Sequence, residues 1–197
     1  MKVAIVQYNA GNVQSVLYAL ERLGVEAILT NNQEELSKAD KVIFPGVGEA
    51  SSAMHFLQAK NLDNIIKSLK QPVLGICLGL QLMCKHSEEN NTNCLGIFDL
   101  KVCKFSSDNH KVPHVGWNDI HALKSPLFSN IQENDYVYYV HSFYAELGVD
   151  TIAQTHYVHP YSAALHKNNF YAVQFHPEKS GKVGEKILDN FLSLNNE

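Results

Sequence analysis

The 197-residue sequence predicts an α/β fold: a mostly parallel sheet flanked by helices, to which the second half of the chain adds antiparallel or mixed strands. Three observations carry this expectation. Strand-like and helix-like segments alternate from the start of the chain through Phe44. A short apolar run, Val73–Ile76, stops at Cys77 and gives way to helix-compatible spacing in residues 78–83. Beyond that helix the alternation ends, and short β-type runs separated by turn residues take over.

In chain order, residues 2–7 read as a strand that closes on the turn Tyr8-Asn9-Ala10-Gly11-Asn12. Val13, Val16, Leu17, Leu20 and Leu23 then recur at helical spacing, with Asn12 as N-cap and Gly24 as C-cap. Residues 25–29 read as a strand, Gln33–Lys38 as a short helix and Lys41–Phe44 as a third strand, which is the β-α-β-α-β order of a parallel sheet covered by helices. After Pro45-Gly46-Val47-Gly48-Glu49, helical segments are expected over 50–57 and 62–69. Further strands are expected at 95–105, 117–123, 136–140, 151–156, 163–166 and 171–175, extending the sheet, with 111–118 as a connecting loop. A closing helix over 184–194 should turn Ile187, Leu188, Phe191 and Leu192 inward. No internal repeat or linker divides the chain, so residues 1–197 are expected to form one domain.

The chemistry is centred on Gly75-Ile76-Cys77-Leu78-Gly79. A residue on a sharp strand-to-helix turn between glycines is pushed into the open, as in the nucleophile elbow of hydrolases. Glycines supply room and permissive backbone angles, and the positive end of the following helix favours a thiolate. An inert buried cysteine is the alternative, but it gives glycines at both flanking positions little purpose.

A nucleophilic thiol needs a base. Residues 171–175 lead into His176-Pro177-Glu178, in which Pro177 is expected to hold an extended link and set the carboxylate beside the imidazole. A carboxylate on one ring nitrogen fixes the tautomer and frees the other nitrogen for the thiol proton. Alone, His-x-Glu is an ordinary surface pair; with the elbow cysteine it completes a Cys-His-Glu triad. Gly46, Val47 and Gly48 stand at the carboxyl end of a strand, where bare backbone N–H groups suit an oxyanion, although an ordinary strand-to-helix turn would use the same residues. The backbone N–H of Leu78 is a second oxyanion donor.

Composition narrows the rest. Hydrophobic residues at 45% and charged residues at 18% are globular values, and the net charge of −4 comes without a Lys/Arg cluster, so no nucleic-acid partner is expected. No apolar run reaches the roughly 18 residues needed to span a bilayer, and the start does not read as a signal peptide, so a cytoplasmic protein without membrane contact is expected. Cys77, Cys84, Cys94 and Cys103 lack disulfide or zinc spacing. Pro113 between His110 and His114, and Pro160 beside His156 and His159, leave no metal site, and no cofactor is expected.

Pro45-Gly46-Val47-Gly48, Gly75-Ile76-Cys77-Leu78-Gly79-Leu80-Gln81 and Phe175-His176-Pro177-Glu178 together resemble the class I (triad) glutamine amidotransferases, across nearly the whole chain. Asn9-Ala10-Gly11-Asn12 with Ser15, Pro113-His114-Val115-Gly116-Trp117-Asn118, Tyr139-Val140-His141-Ser142 and His176-Pro177-Glu178-Lys179-Ser180-Gly181 are similar to the glutaminase subunits of imidazole glycerol phosphate synthases. Leu80 and Val115 replace frequent methionines there, and residues 155–160 lack a glycine expected after the tyrosine. The resemblance implies a doubly wound sheet with an antiparallel addition and glutamine hydrolysis through a cysteine thioester. It also implies glutamine binding by Gly48, Gln81, Ser142 and Phe143, and heterodimer formation with a (β/α)₈ cyclase that receives the ammonia. Asn12, Trp117 and Lys179 fall at positions of the subunit contact, though Trp117 could equally fill core. A glutaminase serving a pyridoxal phosphate or sugar-modifying synthase, or a non-catalytic docking module of the same fold, are the alternatives.

Overall fold

The computed structural model describes residues 1–106 and 108–195. Seven strands build the main sheet: β1 (Val3–Val6), β2 (Ala27–Thr30), β3 (Lys41–Phe44), β4 (Val73–Ile76), β11 (Thr151–Tyr157), β12 (His159–Lys167) and β13 (Phe170–Val173). Across the sheet they run in the order β11-β12-β13-β4-β3-β1-β2. From β13 through β4, β3 and β1 to β2 every pairing is parallel, whereas β11 and β12 extend the sheet antiparallel. Parallel order puts the carboxyl ends of β1, β3, β4 and β13 on one edge, and the principal sequence motifs follow those ends.

The inner parallel strands β1, β3, β4 and β13 are buried along their whole length because both faces of the sheet are covered there, whereas Ile28 and Leu29 of the edge strand β2 are exposed. Ala4, Val6, Val42, Phe44 and Val73 face one core, which is closed by α2 (Gln33–Lys38), α3 (Ala50–Ala59), α4 (Leu62–Ser68) and α5 (Leu78–Met83). Val3, Ile5, Ile43, Leu74 and Ile76 face the other, beneath α1 (Val13–Arg22) and α6 (Gly181–Ser193). Ile187, Leu188, Phe191 and Leu192 of α6 are buried there, as their spacing predicts.

The second half departs from the sequence expectation. Residues 95–105 yield only β7 (Lys101–Lys104), which joins β5 (His86–Ser87), β6 (Thr92–Asn93) and β10 (Phe143–Ala145) in a separate four-stranded sheet. The expected loop 111–118 is strand from His114 onward: β8 (His114–Ile120) pairs antiparallel with β9 (Asp135–His141) in a two-stranded ribbon. That ribbon is not a strand pair of the main sheet. Its inward residues Ile120, Val137 and Tyr139 join the α6-side core, so it packs on the sheet face, bridged to the edge strand β11 where His121, just past β8, exchanges backbone hydrogen bonds of 2.9 and 2.8 Å with Gln154.

Candidate active site

Cys77 follows the last residue of β4, and its N–H donates to the Val173 carbonyl of β13 at 2.8 Å. Its backbone lies at φ 53°, ψ −105°, a conformation that L residues avoid and that the surrounding packing must hold. Neither flanking glycine takes up this strain, since neither has positive φ. They supply room alone: a Cβ on Gly79 would strike the Phe44 carbonyl oxygen of β3, and one on Gly75 would stand 2.9 Å from Met83 Sδ. The close approach of α5 to β3 and β4 therefore forces the chain to turn sharply at Cys77, which is only 6% exposed. Its Sγ accepts from Gln174 Nε2 at 3.6 Å and lies 3.8 Å from the Val140 carbonyl oxygen, so the β8–β9 ribbon passes over it.

His176 continues from β13, and its N–H donates to the Tyr138 carbonyl on the ribbon at 2.9 Å. Ser180 Oγ ties the same elements together, donating to the His176 carbonyl at 2.6 Å and accepting from Tyr138 N–H at 2.9 Å. The link through Pro177 is a 3₁₀ turn, Pro177–Lys179, and not the extended segment expected: proline is well suited to the first position of such a turn, where its missing N–H is not needed. The turn brings Glu178 back onto the ring, and His176 Nδ1 donates to Glu178 Oε1 at 2.7 Å with both side chains buried. Burial opposes the imidazolium, but the hydrogen bonds and charges of Cys77 and Glu178 outweigh it and raise the His176 pKa to about 10.

Cys77 opens into a cleft of about 310 Å³ lined by Val47, Gly48, Leu78, Gln81, Glu89, Ser142 and Phe143 among others. All four residues proposed from sequence to bind glutamine therefore line one cleft. Gln81 is buried, not a solvated helix residue, and its Nε2 donates to the Phe143 carbonyl at 2.9 Å and to Gln174 Oε1 at 3.2 Å. Glu89 is an addition. It sits in the 3₁₀ turn Glu89–Asn91 within a polar run, Ser87-Glu88-Glu89-Asn90, that reads as solvated surface, so no sequence pattern singles it out. Its Oε2 accepts from the Ala50 N–H at 2.7 Å. Burial, and secondarily the Glu49 charge, raise its pKa, against the Ala50 hydrogen bond.

The backbone N–H groups expected to face an oxyanion are not both available in this conformation. Leu78 N–H donates to the Gly46 carbonyl at 3.2 Å, and the Val47 carbonyl accepts from Gly11 N–H at 3.3 Å. The peptide between Gly46 and Val47 therefore turns its oxygen, not its N–H, toward the elbow. In the cleft wall, His141 Nδ1 donates to the Phe143 carbonyl at 2.8 Å, and its Nε2 lies 3.3 Å from His114 Nδ1 and 3.2 Å from Tyr161 Oη. Burial holds both rings neutral, lowering the pKa of His114 to about 4 and that of His141 to about 3.

The three residues expected at a subunit contact divide. Trp117 is not core: it is 54% exposed on the ribbon, edge-to-face with Tyr138, and exposed Val115, Tyr136 and Val140 share that ribbon. Lys179 is exposed as well, on the turn that carries Glu178. Asn12 is half-buried, and its Nδ2 donates to Glu178 Oε1. Among the described residues no group of His, Cys, Asp and Glu is arranged to hold a metal, and no helix is long and apolar enough to cross a membrane.

Residues 4–194 match the family model described as glutamine amidotransferase class-I. The chain is similar to the imidazole glycerol phosphate synthase subunit HisH of Bacteroides thetaiotaomicron, 61% identical over 98% of this chain and 100% of that protein. It is also similar to the subunit of the same name from Vibrio parahaemolyticus, 42% identical with 98% of each chain covered. Among solved structures, a glutamine amidotransferase from Thermotoga maritima shares the fold, with a TM-score of 0.64 at 14% identity over 97% of this chain and 82% of that one. A second solved glutamine amidotransferase superposes with a TM-score of 0.74 at 17% identity, over 96% of each chain.

Proposed function

The chain belongs to the class-I glutamine amidotransferases and, within them, to the HisH subunits of imidazole glycerol phosphate synthase; we propose that Cys77, His176 and Glu178 form its catalytic triad. The observation that carries this is a strained elbow cysteine in the cleft wall at the end of β4, with the buried His176–Glu178 pair following the end of the neighbouring strand β13. In the proposed reaction the Cys77 thiolate attacks the side-chain amide carbon of glutamine, and the His176 imidazolium protonates the departing ammonia. Water, deprotonated by the now neutral His176, then cleaves the thioester to release glutamate. Glu178 holds the ring in place and supports its charge.

Gly48, Gln81, Ser142 and Phe143 would hold the substrate, Gln81 by fixing the Phe143 backbone. Glu89, with one oxygen committed to Ala50, has the charge to receive the substrate's α-ammonium group. Leu78 and Val47 would supply the oxyanion donors once the Gly46–Val47 peptide turns over. Its present orientation supports low activity of the chain alone.

The ammonia is proposed to pass to a cyclase subunit with a (β/α)₈ fold, in a cytoplasmic heterodimer of histidine biosynthesis. Support comes from the exposed Val115, Trp117, Tyr136 and Val140 on a ribbon that crosses the Cys77 sulfur, a surface whose burial would couple contact to chemistry. Four free cysteines fit a reducing compartment. The test is ammonia release from glutamine by wild type and Cys77→Ala, each with and without the cyclase. Wild-type activity that rises with the cyclase and disappears in Cys77→Ala is the expected result. Activity that survives Cys77→Ala refutes the triad; activity indifferent to the cyclase refutes the partnership.

A further inference from the structure

We propose that Asn12 is a positioning residue of this site: its carboxamide fixes the orientation of Glu178 and, through it, of His176. This rests on the triad reading above. Asn12 occupies the N-cap of α1, yet its side chain makes no capping hydrogen bond and its backbone is left-handed, at φ 68°, ψ 11°. An asparagine at that position ordinarily accepts from the first free N–H groups of its helix. Asn32 does so at the head of α2, accepting from Glu34 and Glu35 N–H at 2.8 and 3.1 Å. Asn61, left-handed like Asn12 at the head of α4, turns back to Asn64 within its own helix at 2.8 Å. Only Asn12 of these three sends its amide across the sheet edge, from the β1–α1 turn to the turn after β13.

There it donates to Glu178 Oε1, the same oxygen that takes His176 Nδ1–H. The two nitrogens stand 3.4 Å apart because both donors converge on one acceptor. The other carboxylate oxygen, Oε2, is buried with no hydrogen-bond partner. The carboxylate is thus held through Oε1 alone, by the ring it must orient and by Asn12. A buried carboxylate with a single donor left would turn toward any other donor or admit water, and the imidazole would lose its fixed acceptor. The titratable groups facing His176 are Cys77 at the head of α5, Glu178 on its own turn and His141 on β9, so weakening the Glu178 contact removes a principal support of the imidazolium.

The test is ammonia release from glutamine by Asn12→Gly and Asn12→Asp, measured on the chain alone at high protein concentration across pH. Both replacements tolerate a left-handed backbone, so the fold is retained. Asn12→Gly should lower kcat roughly tenfold or more, leave KM near wild type, and move the alkaline limb of the kcat profile to lower pH. Asn12→Asp, which sets a second carboxylate against Glu178, should lose at least as much kcat. A wild-type kcat and alkaline limb in Asn12→Gly, or a loss confined to KM, overturns the proposal. His176→Ala run in parallel separates the two readings: if it retains wild-type activity the triad itself is refuted, and if it is inactive while both Asn12 variants are normal only the role of Asn12 falls.

Discussion

Replacing Gly79 by alanine sets two physical effects of opposite sign against each other. Gly79 is the second residue of α5, and by helix propensity alone alanine there stabilises by up to about 1 kcal/mol. The new methyl group, however, would overlap the carbonyl oxygen of Phe44 and stand 3.1 Å from its carbonyl carbon. Phe44 is a fully buried residue of β3, paired with Gly75 of β4, so the obstacle is backbone that cannot swing aside. Overpacking against such a neighbour costs about 2–3 kcal/mol, leaving a net loss of about 1–2 kcal/mol and a melting point roughly 2–8 °C lower. Urea unfolding reads this as a lower midpoint with an unchanged slope. Because α5 must retreat and carry Cys77 with it, glutamine turnover should fall as well, by up to about 100-fold for a displacement near 1 Å. A variant as stable as wild type, or more so, refutes the close-approach explanation of the elbow and leaves Gly79 an ordinary helix residue.

Trp117→Ala should leave stability within about 0.5 kcal/mol, since the ring is half exposed, but weaken cyclase binding roughly 30-fold or more if it anchors the interface. Calorimetric titration checks this, and unchanged affinity removes the ribbon from the contact. Stability should also fall on both sides of neutrality. His176 has its pKa raised from 6.5 to about 10, so its contribution is fully present below 6.5 and is lost as pH rises through about 10. His114 and His141 are depressed from 6.5 to about 4 and about 3, so their contribution is present above 6.5 and is lost as pH falls toward those values. His114→Phe, which keeps a ring between Tyr139 and Tyr157, should shrink the loss between pH 7 and pH 5 in urea unfolding; an acid limb identical to wild type excludes His114 as its source.

The features legible in the sequence are local or strongly periodic. Gln33–Lys38, Lys41–Phe44 and Val73–Ile76 emerge with their expected bounds, because apolar period and flanking turn residues act within a few positions of one another. The proposed triad of Cys77, His176 and Glu178 stands out because a nucleophile and its base would demand particular residue types at strand ends, and parallel pairing brings those ends to one edge. The second half is less legible. Whether a short β run joins the main sheet, a small side sheet or a ribbon depends on which distant strand offers its edge, and residues 111–118 carry no sign that His114 pairs with His141. Only in the folded chain do the elbow glycines give room while Cys77 bears the strain, does Glu89 enter the cleft, and does Gly46 occupy the Leu78 N–H. Folding also sends the Asn12 amide to Glu178 instead of its own helix. These arrangements join residues far apart in the chain, and a hydrogen bond across 166 positions leaves no periodic trace in the sequence.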